Sequence, residues 1–237
     1  MRNPELLQVY GFDKKLRLGS NKDGGYVIAD LEGGYDCYIS AGISDEESFS
    51  RDFITKYDMN KQNSYGFDGT IRNYPYQYTR KISFIRKNIG PDETATHNNM
   101  AILMEAFDNI FLKMDIEGGE YPWLMWMDEE KLNKFKQIVI EFHGINDDTN
   151  GCTYQDKVQC LKKLSNTHYL VHAHGNNHGG AHGLFPDVIE LTYVNKNCFH
   201  DPPELNKRPL PDPHVDKPNN ENAQDMNLNF YPFVSPL

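Results

Sequence analysis

One short segment, through an abrupt change of chemistry, constrains this chain more than any other. Asn109-Ile110-Phe111-Leu112-Lys113-Met114 is almost continuously apolar, and Asp115-Ile116-Glu117-Gly118-Gly119-Glu120 follows it at once. A strand covered on both faces loses its in-and-out alternation, so the apolar run reads as a buried strand of a parallel sheet. Gly118-Gly119 permits a tight turn, and Pro122 opens a helix at the position where a missing N–H costs nothing. The acids therefore crowd the carboxyl end of a central strand, which is where open α/β sheets bind ligands. Trp123 and Trp126 read as core of that helix.

A second apolar run, Gln137-Ile138-Val139-Ile140-Glu141-Phe142-His143-Gly144, repeats the pattern. Laid parallel to the first, it sets Glu141 and His143 beside Asp115, and residues 141 and 143 share one face because strand side chains repeat every two positions. Two carboxylates and an imidazole can hold a divalent cation or perform acid–base chemistry. The alternative is a hydrogen-bonded Glu-His pair in a packed sheet.

The chain upstream supplies the rest of a nucleoside-binding pattern. Residues 6–18 suit a short helix or arm, and Asp23-Gly24-Gly25-Tyr26-Val27-Ile28 reads as a turn feeding a strand, either a hairpin edge or a loop over a ligand. A strand over 37–41 ends at Gly42, with a helix to follow over 46–57. The intervening turn has one glycine and three acids, Asp45, Glu46 and Glu47, where a dinucleotide loop wants GxGxxG. It would repel a phosphate and accept a cationic, unphosphorylated ligand, a description that the sulfonium of S-adenosylmethionine fits. Residues 64–68 read as a strand ending in Asp68, placed to accept hydrogen bonds from ribose hydroxyls. Residues 74–80 form an aromatic and basic surface connection, 82–89 a third strand, and Thr94 or Thr96 caps a helix over 98–107.

Downstream, a helix over 154–164 leads to a strand over 169–174 and a glycine-rich loop over 175–183. Four histidines between His172 and His182 invite a zinc reading, but no cysteine accompanies them and the spacing matches no structural site. The loop reads instead as a source of polar contacts to a substrate. A last strand covers 187–194. Eight of the thirteen prolines fall after residue 200, so the expectation is one domain over 1–200 and an extension over 201–237 that wraps the surface or moves. Phe230, Tyr231 and Phe233 suggest that it docks.

A net charge of -10 and a pI near 5.3 argue against broad nucleic-acid binding. No apolar run is long enough to insert in a membrane and no leader precedes the domain, so a soluble, cytoplasmic protein is expected. Cys37, Cys152, Cys160 and Cys198 lie far apart and read as reduced thiols.

Taken together, Arg17 with Asp23-Gly24-Gly25-Tyr26-Val27, Ile39-Ser40-Ala41-Gly42-Ile43-Ser44, Gly66-Phe67-Asp68, Leu112 through Glu120 and Glu141-Phe142-His143 resemble the FkbM-like S-adenosylmethionine-dependent O-methyltransferases over roughly residues 15–195. The chain also looks like the methyltransferase portion of the large glycan-building proteins of chlorella viruses. That would make it a piece excised from a larger glycosyltransferase-containing chain, acting in the host cytoplasm. The resemblance implies a Rossmann-like class I methyltransferase, α/β, with a seven-stranded, mostly parallel sheet, helices on both faces and the last strand antiparallel. It implies S-adenosyl-L-methionine beside Ser40, Gly42, Ser48, Asp68, Thr96 and Asp115. The implied acceptor is a carbohydrate hydroxyl, of a deoxyhexose such as rhamnose, contacted by Glu117, His174 and Asn176.

A sugar hydroxyl is a very weak acid, and a base alone is poorly matched to it near neutral pH. The mechanism expected is therefore a Mn or Mg ion on Asp115, Glu141 and His143 that lowers the hydroxyl's pKa, or else His143 as general base. Other classes remain open: a non-catalytic glycan-binding module, or a metal-dependent hydrolase on a Rossmann-like fold. An NAD or nucleotide-sugar enzyme would need a glycine-rich phosphate loop that the chain lacks.

Overall fold

The computed structural model describes residues 3–75, 80–149 and 151–236; residues 76–79 of the expected surface connection lie outside them. In chain order the elements are β1 (Lys15–Leu18), β2 (Tyr26–Ala29), β3 (Cys37–Ala41), α1 (Ser48–Lys56), β4 (Ser64–Phe67), β5 (Ser83–Ile85), β6 (Asn88–Ile89) and β7 (His97–Asn98). Then come α2 (Ala101–Ala106), β8 (Ile110–Met114), α3 (Glu120–Trp126), α4 (Glu129–Leu132), β9 (Phe135–His143), α5 (Tyr154–Thr167), β10 (His168–Gly175), β11 (Ala181–His182), β12 (Phe185–Pro186) and β13 (Val188–Asn195).

Seven strands make one mixed sheet in the order β10-β13-β9-β8-β3-β4-β5. The pairs from β9 through β5 are parallel, and β13 runs antiparallel to both β9 and β10. From β3 the chain steps outward to β4 and β5, then crosses back to β8 and outward again to β9. The reversal lies between β3 and β8, so the loops leaving their carboxyl ends part and open a crevice.

Why the central strands are apolar throughout is visible in the packing. Ile39, Leu112 and Ile140 face one layer with Leu103, Trp123, Leu124 and Leu161 of the helices α2, α3 and α5. Tyr38, Phe111 and Val139 face the opposite layer with Phe49, Phe53 and Ile54 of α1 and with Leu18, Tyr26 and Ile28 of the β1–β2 hairpin. Phe53 sits at the centre of that second layer, its ring 4.5 Å from Tyr38 and 4.2 Å from Phe111. Helices thus cover both faces. α5 begins with a reciprocal cap in which the Thr153 side chain accepts from the Asp156 amide and Asp156 accepts from the Thr153 amide.

Several local expectations are corrected. Residues 6–18 do not form one helix: a single 3-10 turn at Pro4–Leu7 precedes β1, which pairs with the fully buried β2 across the Asp23-Gly24-Gly25 turn. The expected third strand contracts to β5 and the short β6. α2 starts at Ala101 rather than near residue 98, because Met100 adopts a left-handed φ of 65° and the side chains of Asn98 and Asn99 accept from the amides of Met100 and Ala101. Thr94 closes an earlier turn by accepting from the His97 amide. α3 begins at Glu120, so Pro122 lies within its first turn, where its missing N–H is still one of the orphans.

The segment after β13 has little regular structure, yet it is anchored. Leu210, Leu228 and Phe233 are buried in the main core. Asp216 accepts from His172 Nε2 at 2.8 Å, and Asp225 lies 3.0 Å from His174 Nε2. The four thiols are free, with Cys37, Cys152 and Cys160 buried. Among the described residues, no helix is long and apolar enough to cross a membrane.

Candidate active site

A cavity of about 730 Å³ opens where β3, β4 and β8 end, and Ser40, Gly42, Asp68, Asp115 and Glu117 all line it. Gly42 is the seam. Its φ is 78°, and a Cβ built on it would lie 1.6 Å from the Asp115 carbonyl oxygen, so the turn after β3 admits no other residue. The Asp115 amide donates to Ala41 O at 3.0 Å, and the buried Lys113 ammonium donates to Gly42 O at 3.0 Å. The two strand ends are therefore stitched together on both sides of the glycine.

Asp68, the residue expected at the ribose, also braces its own loop. Its Oδ2 accepts from the amides of Ile43 and Ser44 at 3.0 and 2.8 Å, and its Oδ1 from the Thr70 amide and hydroxyl at 2.7 and 2.6 Å. Burial alone would raise this carboxyl, but the bonds from Thr70, Ser44 and Ile43 outweigh it and hold it below the usual range. Asp68 thus fixes the shape of the Gly42 turn, and a ribose diol would have to share a carboxylate already bonded at both oxygens.

The polar tips of β8 and β9 divide into two groups. Outermost, donor atoms of Asp115, Glu117 and His143 lie within 4.8 Å of one another. His143 Nε2 is 3.4 Å from Glu117 and 3.9 Å from Asp115, while its Nδ1 is 3.3 Å from the fully buried Glu120. Glu120 is held by the Ile116 amide at 2.9 Å. Burial would lower His143, but the Glu120 hydrogen bond and the charges of Glu120, Glu141 and Asp115 push it up to about 9. Glu117 reaches this cluster because its backbone turns left-handed, with φ 57°, just beyond the strand.

The inner group is Glu141, Tyr26 and Asn176. Tyr26 Oη lies 2.9 Å from Asp115 Oδ2 and 3.0 Å from Glu141 Oε2, and Asn176 donates to Glu141 Oε1 at 2.8 Å. One phenol has one proton for two carboxylates, so both contacts are satisfied only when a protonated carboxyl donates to the phenol oxygen. Glu141 is the group so disposed, since burial first, then the charges of Asp115 and Glu190, raise it to about 8.

This placement revises the expected ligand set. Glu117 takes the place of Glu141, which is 3.8 Å from His143 but committed to Tyr26 and Asn176. Among the residues expected at the substrate, Glu117 stands exposed at the mouth, Asn176 is buried against Glu141, and His174 lies away from the cavity between Glu190 and Asp225. Ser48 and Thr96 do not line the cavity. Ser48 Oγ is buried with no hydrogen-bond partner among the described residues, and Thr96 bonds to His97 on the surface. Tyr26 and Lys113 escaped the sequence reading as site residues. A charge inside the apolar run of β8 was a signal for Lys113, whereas Tyr26 looked like ordinary strand core.

Comparison with known families adds one finding. The model of the methyltransferase FkbM domain matches residues 15–179, and the chain belongs to that family. No curated protein matches the sequence.

Proposed function

We propose that this member of the FkbM methyltransferase family is an S-adenosyl-L-methionine-dependent O-methyltransferase with a class I, Rossmann-like sheet. Its acceptor on this reading is a carbohydrate hydroxyl, of a deoxyhexose such as rhamnose, assisted by Mn or Mg. One observation carries the reading: the cavity at the Gly42 turn is walled by Asp23, Asp45, Glu46, Asp68, Asp115 and Glu117 against only Lys22 and Lys113. Its volume suits a nucleoside-sized ligand. An acidic, concave wall disfavours a phosphate and favours a cationic centre.

S-adenosylmethionine, when bound, supplies a methyl group on a sulfonium that leaves as a neutral thioether. What remains for the protein is to align the acceptor oxygen with that methyl and to handle the hydroxyl proton; alignment alone supplies much of the rate. The Gly42 turn, braced by Asp68 and Lys113, supports the donor side. Asp115, Glu117 and His143 offer an oxygen-rich set with one imidazole, which fits a hard divalent cation, and such an ion would lower the acceptor hydroxyl's pKa. With Glu120 holding Nδ1, His143 presents Nε2 to the cluster. In the metal-free site it carries a proton at neutral pH, so it can act as general base only above its raised pKa.

Calorimetry with S-adenosylmethionine and S-adenosylhomocysteine on the wild-type chain tests the donor. Binding of both is expected, and no heat from either would overturn the reading in favour of a glycan-binding module or hydrolase. Turnover with a panel of deoxyhexose glycosides, before and after exhaustive chelation, tests the metal; turnover unchanged by chelation removes it.

A further inference from the structure

The family match ends at residue 179, but the wall of the cavity does not depend on that part of the chain alone. Lys22, Asp23 and Gly24 form one rim of the cavity, in the loop between β1 and β2. Inside, the loop is tied by Arg17, which donates to Ser20 O and Lys22 O, and it is tied to α1 where the Gly19 amide donates to Asp52. Gly24 lies against Glu46 so closely that a Cβ would come within 2.1 Å of its Cγ. The outer side of the loop is held by the C-terminal segment. The Asp23 amide donates to Asn219 O at 3.2 Å, and the Asn219 side-chain amide donates to Asp23 Oδ1 at 3.3 Å and to Glu190 Oε1 at 2.6 Å.

Asn219 is 3% exposed, and its Oδ1 has no hydrogen-bond partner among the described residues. The orientation of the amide is dictated by its neighbours: only the NH₂ end can face two carboxylates, and flipping it would set three acceptors together. In a chain with ten excess negative charges, this uncharged double donor lets Asp23 on the rim and Glu190 on β13 approach one another. An aspartate would add a third acid, and an alanine would leave two carboxylates facing with nothing between them.

We infer that Asn219 is a positioning residue for the donor cavity: it holds the Lys22–Gly24 rim in place, so that the proline-rich segment completes the methyl-donor site from outside the matched family region. The inference rests on the donor reading given above. Asn206 anchors the same segment through the carbonyls of Arg208 and Phe233, away from both the rim and Glu190, which provides the control.

The experiment compares full-length wild type, Asn219→Ala, Asn219→Asp and Asn206→Ala by calorimetry with S-adenosylhomocysteine and by hydrogen exchange over residues 17–28. Asn219→Ala is expected to weaken binding about tenfold to a hundredfold, the scale set by unpairing buried hydrogen bonds to charged groups. Asn219→Asp should weaken it further. Both should speed exchange over 17–28 while leaving 37–57 protected, and should raise the KM for S-adenosylmethionine more than they lower kcat. Asn206→Ala is expected to lower the melting temperature with affinity unchanged. Unchanged affinity and unchanged exchange over 17–28 in Asn219→Ala would overturn the inference, as would a uniform rise in exchange along the chain. If Asn219→Ala does not fold, Asp23→Asn decides by hydrogen exchange over 17–28 alone, since it weakens the same contact from the rim side while Asp23 also lines the cavity and alters affinity directly. Absence of binding by the wild type would defeat the donor reading instead, and the exchange data would still report on the tether.

Discussion

The parallel half of the sheet and the segment after β13 keep buried polar groups satisfied in opposite ways. In β3, β4, β8 and β9 the backbone bonds to itself along the ladder, and the side chains are left to fill the two apolar layers. Beyond residue 200, where prolines remove donors, scattered backbone bonds such as Leu228 N–H to Leu210 O are joined by side chains: Asn206 bonds to the carbonyls of Arg208 and Phe233, Asp216 to His172, Asn219 to Glu190, and Asp225 to His174. The ladders of the first region are more sensitive to lost volume than to a single polar change, while the second adds to its core contacts at Leu210, Leu228 and Phe233 tethers that each rest on one buried pair.

The largest effect should come at the seam of the parallel half. Gly42→Ala forces a Cβ into the Asp115 carbonyl, so S-adenosylhomocysteine binding is expected to vanish by calorimetry, with a lowered melting temperature. Next, Phe53→Ala empties the middle of the second apolar layer and should cost about 3–5 kcal/mol in urea unfolding. A loss below 1 kcal/mol would mean that the layer collapses around the gap and that the contrast in volume sensitivity is false.

On the other side of the comparison, Asp216→Asn changes one buried pair. Burial keeps His172 below its usual pKa despite Asp216, and Asp216 is held low mainly by His172 against its own burial, so the pair is a neutral imidazole donating to a carboxylate. Asn substitution should cost about 1–3 kcal/mol, read by the same unfolding curve, and should release the segment to limited proteolysis before the sheet. A pH dependence completes the comparison. Burial would lower His174, but the bonds to Asp225 and Glu190 raise it to about 10. A group raised on folding stabilises fully below its unfolded pKa, near 6.5, and the contribution drains away as pH climbs to about 10. The melting temperature should therefore fall gradually across that window, and His174→Gln should flatten the slope. A slope unchanged in His174→Gln would show that His174 is neutral in the folded chain.

What the sequence made legible follows the same division. β3, β8 and β9 announce themselves because burial on both faces writes an apolar run, β4 by the Gly66-Phe67-Asp68 end of its strand, and the polar ends announce the crevice. Tyr26 could not be recognised, since its contacts to Asp115 and Glu141 span 89 and 115 residues and nothing in a strand pattern records where a phenol ends. The exchange of Glu117 for Glu141 in the outer cluster depends on a left-handed residue past the strand, a backbone choice that the two-residue period does not encode. Asp68 lines the cavity as expected and in addition braces its own loop, and that second set of contacts was not legible because a carboxylate that ends a strand serves a ribose or its loop amides with the same local spelling. The tethers of the last segment are pairs of common residues far apart in the chain, and composition reveals only that ladders are improbable there.

The close approach of Gly42 to the Asp115 carbonyl has an implication for how a site of this kind can change. Position 42 is shut to every L-amino acid, so adaptation to a new donor or a new acceptor cannot proceed by editing the floor. Asp45, exposed on the wall, can be exchanged at little cost to folding, whereas Glu46 accepts from the Ser48 amide and packs against Gly24. Retuning of preference is thereby channelled to the periphery, and an engineer seeking altered selectivity should build libraries there and leave the hinge line untouched.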